Sequence, residues 1–242
     1  MRKIEVCCSS LTEIEQAAKA GATRVELCAA IGLGGITPSH GTISAIMAAG
    51  LNIDINVLIR CREGGFCYTS DEVDVMCRDI EFCREVGVHG VVIGALTPQG
   101  DIDLDACRRM MQAAGNLSVT FHRAFDICNN AETALEEIIS LGCHRLLTSG
   151  MEPSAELGAQ LISQLIAQAD NRIIIMPGAG IKPHNITYIE QATNATEFHS
   201  TAADNISDTA FATPKLSFAA DADGKGLLRW SQYEIIHKLV NQ

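Results

Sequence analysis

The chain has 242 residues, 47% of them hydrophobic and 19% charged, so it can bury a sizeable core and is too apolar for a disordered polymer. Its 29 acidic residues outnumber 18 basic ones, and the formal net charge of −11 argues against a nucleic-acid or anionic-membrane surface. No apolar run reaches the roughly 18 residues that a membrane-spanning helix needs. A strand pattern begins at residue 3, so no signal peptide is expected, and a cytoplasmic protein with ten reduced cysteines is. No pair of cysteines has the C-x-x-C spacing of a zinc site, and Cys77, Cys83, Cys107 and Cys143 read as small buried hydrophobes.

Strand-like runs begin at Lys3 (KIEVCC), Arg24 (RVELCA), Asp54 (DINVLIR) and Gly90 (GVVIGA). They continue at Ser118 (SVTFHR), Arg145 (RLLTSG), Arg172 (RIIIMPG) and Glu197 (EFHSTA). Helical patterns lie between them: LTEIEQAAKAG, DEVDVMCRDIEFCREVG, DLDACRRMMQAAG, NAETALEEIISLG and AELGAQLISQLIAQ. Most of these close on glycine, a frequent helix stop. A further helix is expected after Pro183, and YEIIHKLVNQ reads as a final one. Eight alternating strand–helix units in a chain of this length predict a single (β/α)8 barrel, the TIM architecture, spanning residues 1–242. The rival, a doubly wound open sheet, carries a glycine-rich loop after its first strand. This chain has none there, and no nucleotide cofactor is expected. Residues 203–230 read as a long irregular stretch, of the kind used as a lid, an interface arm or a mobile loop. Its Trp230 either anchors a subunit contact or packs locally on the barrel.

In such a barrel the site lies at the C-terminal ends of the strands, and residues two apart share a face. Those ends carry Glu5 and Cys7, Glu26 and Cys28, Arg60 and then Arg62, Thr120 and His122 followed by Asp126, Ser149, and finally His199 and Ser200. Buried carboxylates need partners, and Arg60, His122 or a bound cation are the expected ones. Glu5, Glu26, Arg60, His122 and Asp126 are the catalytic candidates. In MPGAGIKPHN, Gly178 and Gly180 follow the seventh strand, where barrel enzymes often hold phosphate on backbone N–H groups. With Arg62, Ser149, His199 and Ser200 they form the candidate substrate or phosphate site. A tight turn needing glycine torsions would explain the two glycines equally. Cys7 and Cys28, if their strands are neighbours, could present two thiolates to one soft ion such as Cu(I). Two packed core thiols are the plainer alternative, and a Glu–Arg network that only fills the barrel is the plainer reading of the charges.

The motifs EVCCSS, VELCAAIGLGGITPSHG, TFHRAFD, RLLTSG, PGAGI and EFHSTA, in that order and at barrel spacing, resemble the CutC family of copper homeostasis proteins. The resemblance covers nearly the whole chain. It implies a TIM-type barrel, a cytoplasmic protein, a homodimer and a role in copper tolerance, with Cys7 and Cys28 at the family's proposed copper positions. The sequence departs from the family where RCREGGFCY places Cys61 for a proline and Gly65 for an aspartate, and where Pro177 replaces a small residue. Two functions follow. One is Cu(I) handling through Cys7 and Cys28. The other is acid–base catalysis on a small sugar-like or carbonyl compound, phosphorylated or not, with a divalent metal held at the barrel mouth between the carboxylates and His122. A Schiff-base aldolase fits poorly, because none of the six lysines lies inside a strand end; Lys182 falls just outside, after strand seven.

Overall fold

Most predicted strand runs are rich in β-branched and aliphatic residues, as strands covered on both faces require. In the computed structural model, which describes residues 2–207 and 227–241, all eight form. They are β1 (Lys3–Cys8), β2 (Arg24–Leu27), β3 (Asp54–Leu58), β4 (Gly90–Ile93), β5 (Ser118–Phe121), β6 (Arg145–Thr148), β7 (Ile174–Pro177) and β8 (Glu197–Ser200). One parallel sheet runs from β7 back through β1 to β8. β7 and β8 come side by side without a shared ladder, so the (β/α)8 barrel is nearly closed.

The helices are α1 (Leu11–Ala20), α2 (His40–Ala48), α3 (Ser70–Glu85), α4 (Leu104–Ala114), α5 (Ala131–Ser140), α6 (Ala159–Ala169), α7 (Ile186–Thr193) and α8 (Tyr233–Asn241). The starts of α1 to α5 are fixed by side-chain caps. Ser10 accepts from the Glu13 N–H, and Thr69 with Glu72 forms a reciprocal capping box that satisfies two otherwise orphaned donors. Gly21, at φ 90°, closes α1 in the left-handed conformation that glycine adopts without penalty. The sequence pattern did not mark α2, because its HGTISAIMA run has no clear polar face; Ile43 and Ile46 alone turn inward. The helix expected from residue 155 starts only at Ala159, since Gly158 and Gly150 bring two backbone segments into direct contact first. No helix among the described residues is long and apolar enough to cross a membrane.

The stretch expected to be irregular begins and ends in strand. β9 (Ala203–Ser207) pairs antiparallel with β10 (Leu227–Ser231), with Trp230 opposite Asp204. Residues 208–226 lie outside the described residues. Ser231 ties this pair to the barrel. Its N–H donates to the buried Glu13 carboxylate at 2.9 Å and its hydroxyl reaches the Cys7 carbonyl at 3.0 Å. The main apolar core lies between the sheet and the helices. A second small cluster of Cys7, Cys28, Leu58 and Val92 lies inside the barrel. Cys8, next to Cys7 in sequence, faces the helices as strand alternation requires.

Candidate functional site

Register decides what the two glutamates meet. Strands β1 and β2 are offset so that Glu5 lies opposite Arg24 and Cys7 opposite Glu26, while β8 places His199 opposite Glu5. At the barrel floor, Arg24 therefore donates through Nε to Glu5 and through Nη2 to Glu197 at 2.9 Å. Arg145 completes the layer with a 2.8 Å bond to Glu197. The partner that neutralises Glu5 is Arg24, with His199 Nδ1 at 2.8 Å on its other oxygen. Burial alone would raise the Glu5 pKa, but the Arg24 charge and the His199 contacts outweigh it and hold it down at about 2.

Above this floor the two thiols meet. Cys7 and Cys28 sit two residues out of register, yet the lean of the barrel brings their sulfurs to 3.3 Å. Cys7 Sγ, a Glu26 oxygen and a His199 ring nitrogen all lie within 4.8 Å of one another, and all three residues are buried. His199 Nε2 is 3.8 Å from Glu26. Desolvation opposes a charged imidazole here, but Glu26, Cys7 and Glu5 together raise its pKa well above the ordinary value. Burial raises Glu26 as well. The neighbouring Cys28 and burial both push the Cys7 thiol far up, so it keeps its proton until something displaces it. Two thiols flanked by an imidazole and a carboxylate form a donor set suited to a soft or borderline cation. The imidazole at this cluster is His199; His122 lies elsewhere.

Arg60 and His122 occupy the β3 and β5 ends. The Arg60 guanidinium donates to the carbonyls of Leu33, Gly35 and Gly64 at 3.2, 2.8 and 2.6 Å, and lies over the Phe66 ring. It is not an ion-pair partner of Glu5 or Glu26. His122 Nδ1 accepts from the Ala124 N–H at 3.1 Å, and burial lowers its pKa to about 3, aided by the Arg60 charge. The ring packs against Gly94, where any Cβ would come within 2.5 Å of it.

One cavity of about 580 Å³ joins these parts, bordered by Cys7, Glu26, Cys28, Arg60, His122 and His199. Gly180 and Ser200 also reach its wall, as do Arg123, Lys182 and His184. The Ser200 hydroxyl is occupied by the Ile181 carbonyl and the Ala202 N–H. Gly178 donates its N–H to the Thr148 carbonyl and packs on Leu147 and His199, where a Cβ would sit 2.5 Å from Leu147. Asp126 and Ser149 are bound to each other: the carboxylate accepts from the Ser149 N–H and hydroxyl, from Thr148, from the Met151 N–H and from Arg123. Arg62 pairs with Glu72 beside the cap of α3 and is half-exposed. Pattern reading missed Arg24, Arg145, Glu197 and Glu13. The parity signal for Arg24 was present, two residues before Glu26; what it lacked was the strand offset.

Comparison with known proteins places this arrangement. The sequence model described as "CutC family" matches residues 2–204. The chain belongs to the CutC family. A CutC family protein of Parabacteroides distasonis is 54% identical over 201 residues, 83% of each chain. One from Pasteurella multocida is 49% identical over 81% of this chain and 80% of its own. The crystal structure of CutC from Streptococcus agalactiae, a protein named for copper homeostasis, superposes with a TM-score of 0.80 at 33% identity, over 83% of this chain and 99% of that one. An aldolase named QR15 shares the fold alone, at 14% identity and a TM-score of 0.61, over 82% of this chain and 89% of that one.

Proposed function

We propose that this CutC-family chain serves copper homeostasis by binding Cu(I) through Cys7 and Cys28. The observation that carries the reading is the 3.3 Å approach of two inward thiols at the wall of an accessible cavity. Thiolates are the soft ligands that Cu(I) prefers, and His199 and Glu26 stand close enough to add a donor or take up a displaced proton. Both thiols must lose their protons on binding, so affinity rises with pH. The reading includes a cytoplasmic location, where the thiols stay reduced, and a homodimer, which rests on the family resemblance alone. Sedimentation velocity tests the dimer.

The copper reading is tested by anaerobic titration of Cu(I) against a chromophoric chelator. The wild-type chain should take up one Cu(I), and a Cys7→Ser, Cys28→Ser double variant should take up none at the same chelator strength. Cys67→Ser, at an exposed thiol, serves as the control. Unchanged stoichiometry and affinity in the double variant would overturn the proposal. A preference for a divalent ion over Cu(I), retained without Cys28 and lost without Glu26, would instead favour the Cys7, Glu26 and His199 set.

A further inference from the structure

Burying a guanidinium without a counter-charge is costly, and orphaned buried donors are rare. Arg60 is 5% exposed, and its hydrogen bonds all go to backbone carbonyls. Among the described residues no carboxylate lies within ion-pair distance of it. Its Nε has no partner. His122, also 5% exposed, accepts at Nδ1 from the Ala124 N–H, so its remaining proton sits on Nε2, which has no partner either. The two side chains are neighbours across one ring: Phe66 lies 5.0 Å from the Arg60 guanidinium carbon and 4.9 Å from the His122 ring. Both border the same cavity, whose volume of about 580 Å³ falls in the usual range for a small-molecule site.

We propose that the Arg60–His122 side of the barrel mouth binds the carboxylate group of a small organic acid. Charge separates this from a phosphate site. Three of the five guanidinium N–H groups go to carbonyls, two from Nη1 and one from Nη2, which leaves the Nε–H and one Nη2–H. With the neutral His122 N–H they present one positive charge, which matches the single charge of a carboxylate. Glu26 borders the same space and disfavours a dianion there. The rest of the ligand would lie against the apolar wall of Leu58, Leu147 and Ile181. Neither Arg60 nor His122 is a proposed copper ligand, so the site stands whether or not copper binds.

The test is a titration of copper-free protein carrying 15N-labelled histidine with pyruvate, then succinate, then inorganic phosphate. The His122 Nε2 resonance should shift saturably with at least one of the two carboxylates and not with phosphate. Calorimetry should show binding at least tenfold weaker in Arg60→Met and in His122→Leu, and unchanged in Cys67→Ser, at an exposed thiol that does not border the cavity. Arg60 ties down three loop carbonyls, so if its variant fails to fold, His122→Leu and the wild-type titration decide. No saturable shift with either carboxylate would overturn the proposal, as would a response to phosphate alone or equal affinity in the His122→Leu variant.

Discussion

The floor and the mouth of this barrel use the same residue types to opposite ends. On the floor, Arg24, Glu5 and Glu197 are buried and interlocked with the partly buried Arg145. At the mouth, Glu26 meets the Cys7 thiol and, at 3.8 Å, His199 instead of a guanidinium, Arg60 bonds only to carbonyls, and His122 leaves a ring nitrogen unpaired. A closed network fixes the strands in register. An unclosed one, opening on a cavity, is what a protein keeps for a ligand. Charged residues in a barrel interior therefore do not announce a site by themselves; their unmet bonding capacity does.

The comparison breaks most readily on the floor. Arg24→Met should destabilise the fold by about 3–5 kcal/mol, because it leaves the buried Glu5 without its cation and strips Glu197 of one of its two guanidinium partners. Chemical denaturation measures this, and a loss no larger than that of a surface variant would show that the floor is not load-sharing. Gly94→Ala comes next. The added methyl collides with the His122 ring and should cost about 1–3 kcal/mol as the ring is displaced. The same variant should shift the His122 resonances, and an unperturbed spectrum would contradict the packing.

A smaller effect follows from His122 titration. Its folded pKa is held at about 3 against an ordinary 6.5, so below pH 6.5 the unfolded chain binds a proton that the folded chain refuses. Its contribution to stability is therefore present above pH 6.5 and is lost as pH falls toward 3. His122→Asn should flatten the stability–pH curve across that interval; an identical slope in both proteins would sink the assignment. Smallest of all, Arg62→Ala at the edge of the α3 cap should leave cavity binding unchanged, since Arg62 is half-exposed and turned toward Glu72. A measurable change in Cu(I) affinity there would move the boundary of the site.

Much of this fold was legible in the chain. Short apolar runs and glycine-terminated helical patterns located the eight strands and most helices, because both follow from local burial. The interior was less legible. The doubled phrases IEVCCS and VELCAA invite the thought that equal positions stand at equal height. The two-residue offset between β1 and β2 places Arg24 beside Glu5 and Cys7 beside Glu26 instead. Offset is a property of barrel closure, not of either strand, and no local pattern encodes it. The same offset hid the role of His199, which reaches Glu5 because β8 pairs with β1 from the far end of the sequence. Asp126 and Ser149 showed the reverse limit. Their residue types suggested chemistry, and the structure commits them to holding the loop after β6.

The most direct measurement is X-ray absorption at the copper edge of anaerobically reconstituted protein. A Cu(I) shell containing two sulfur scatterers, reduced to one in Cys28→Ser, is the result predicted. A shell of nitrogen and oxygen alone, unchanged by that substitution, would contradict the assignment of the paired thiols.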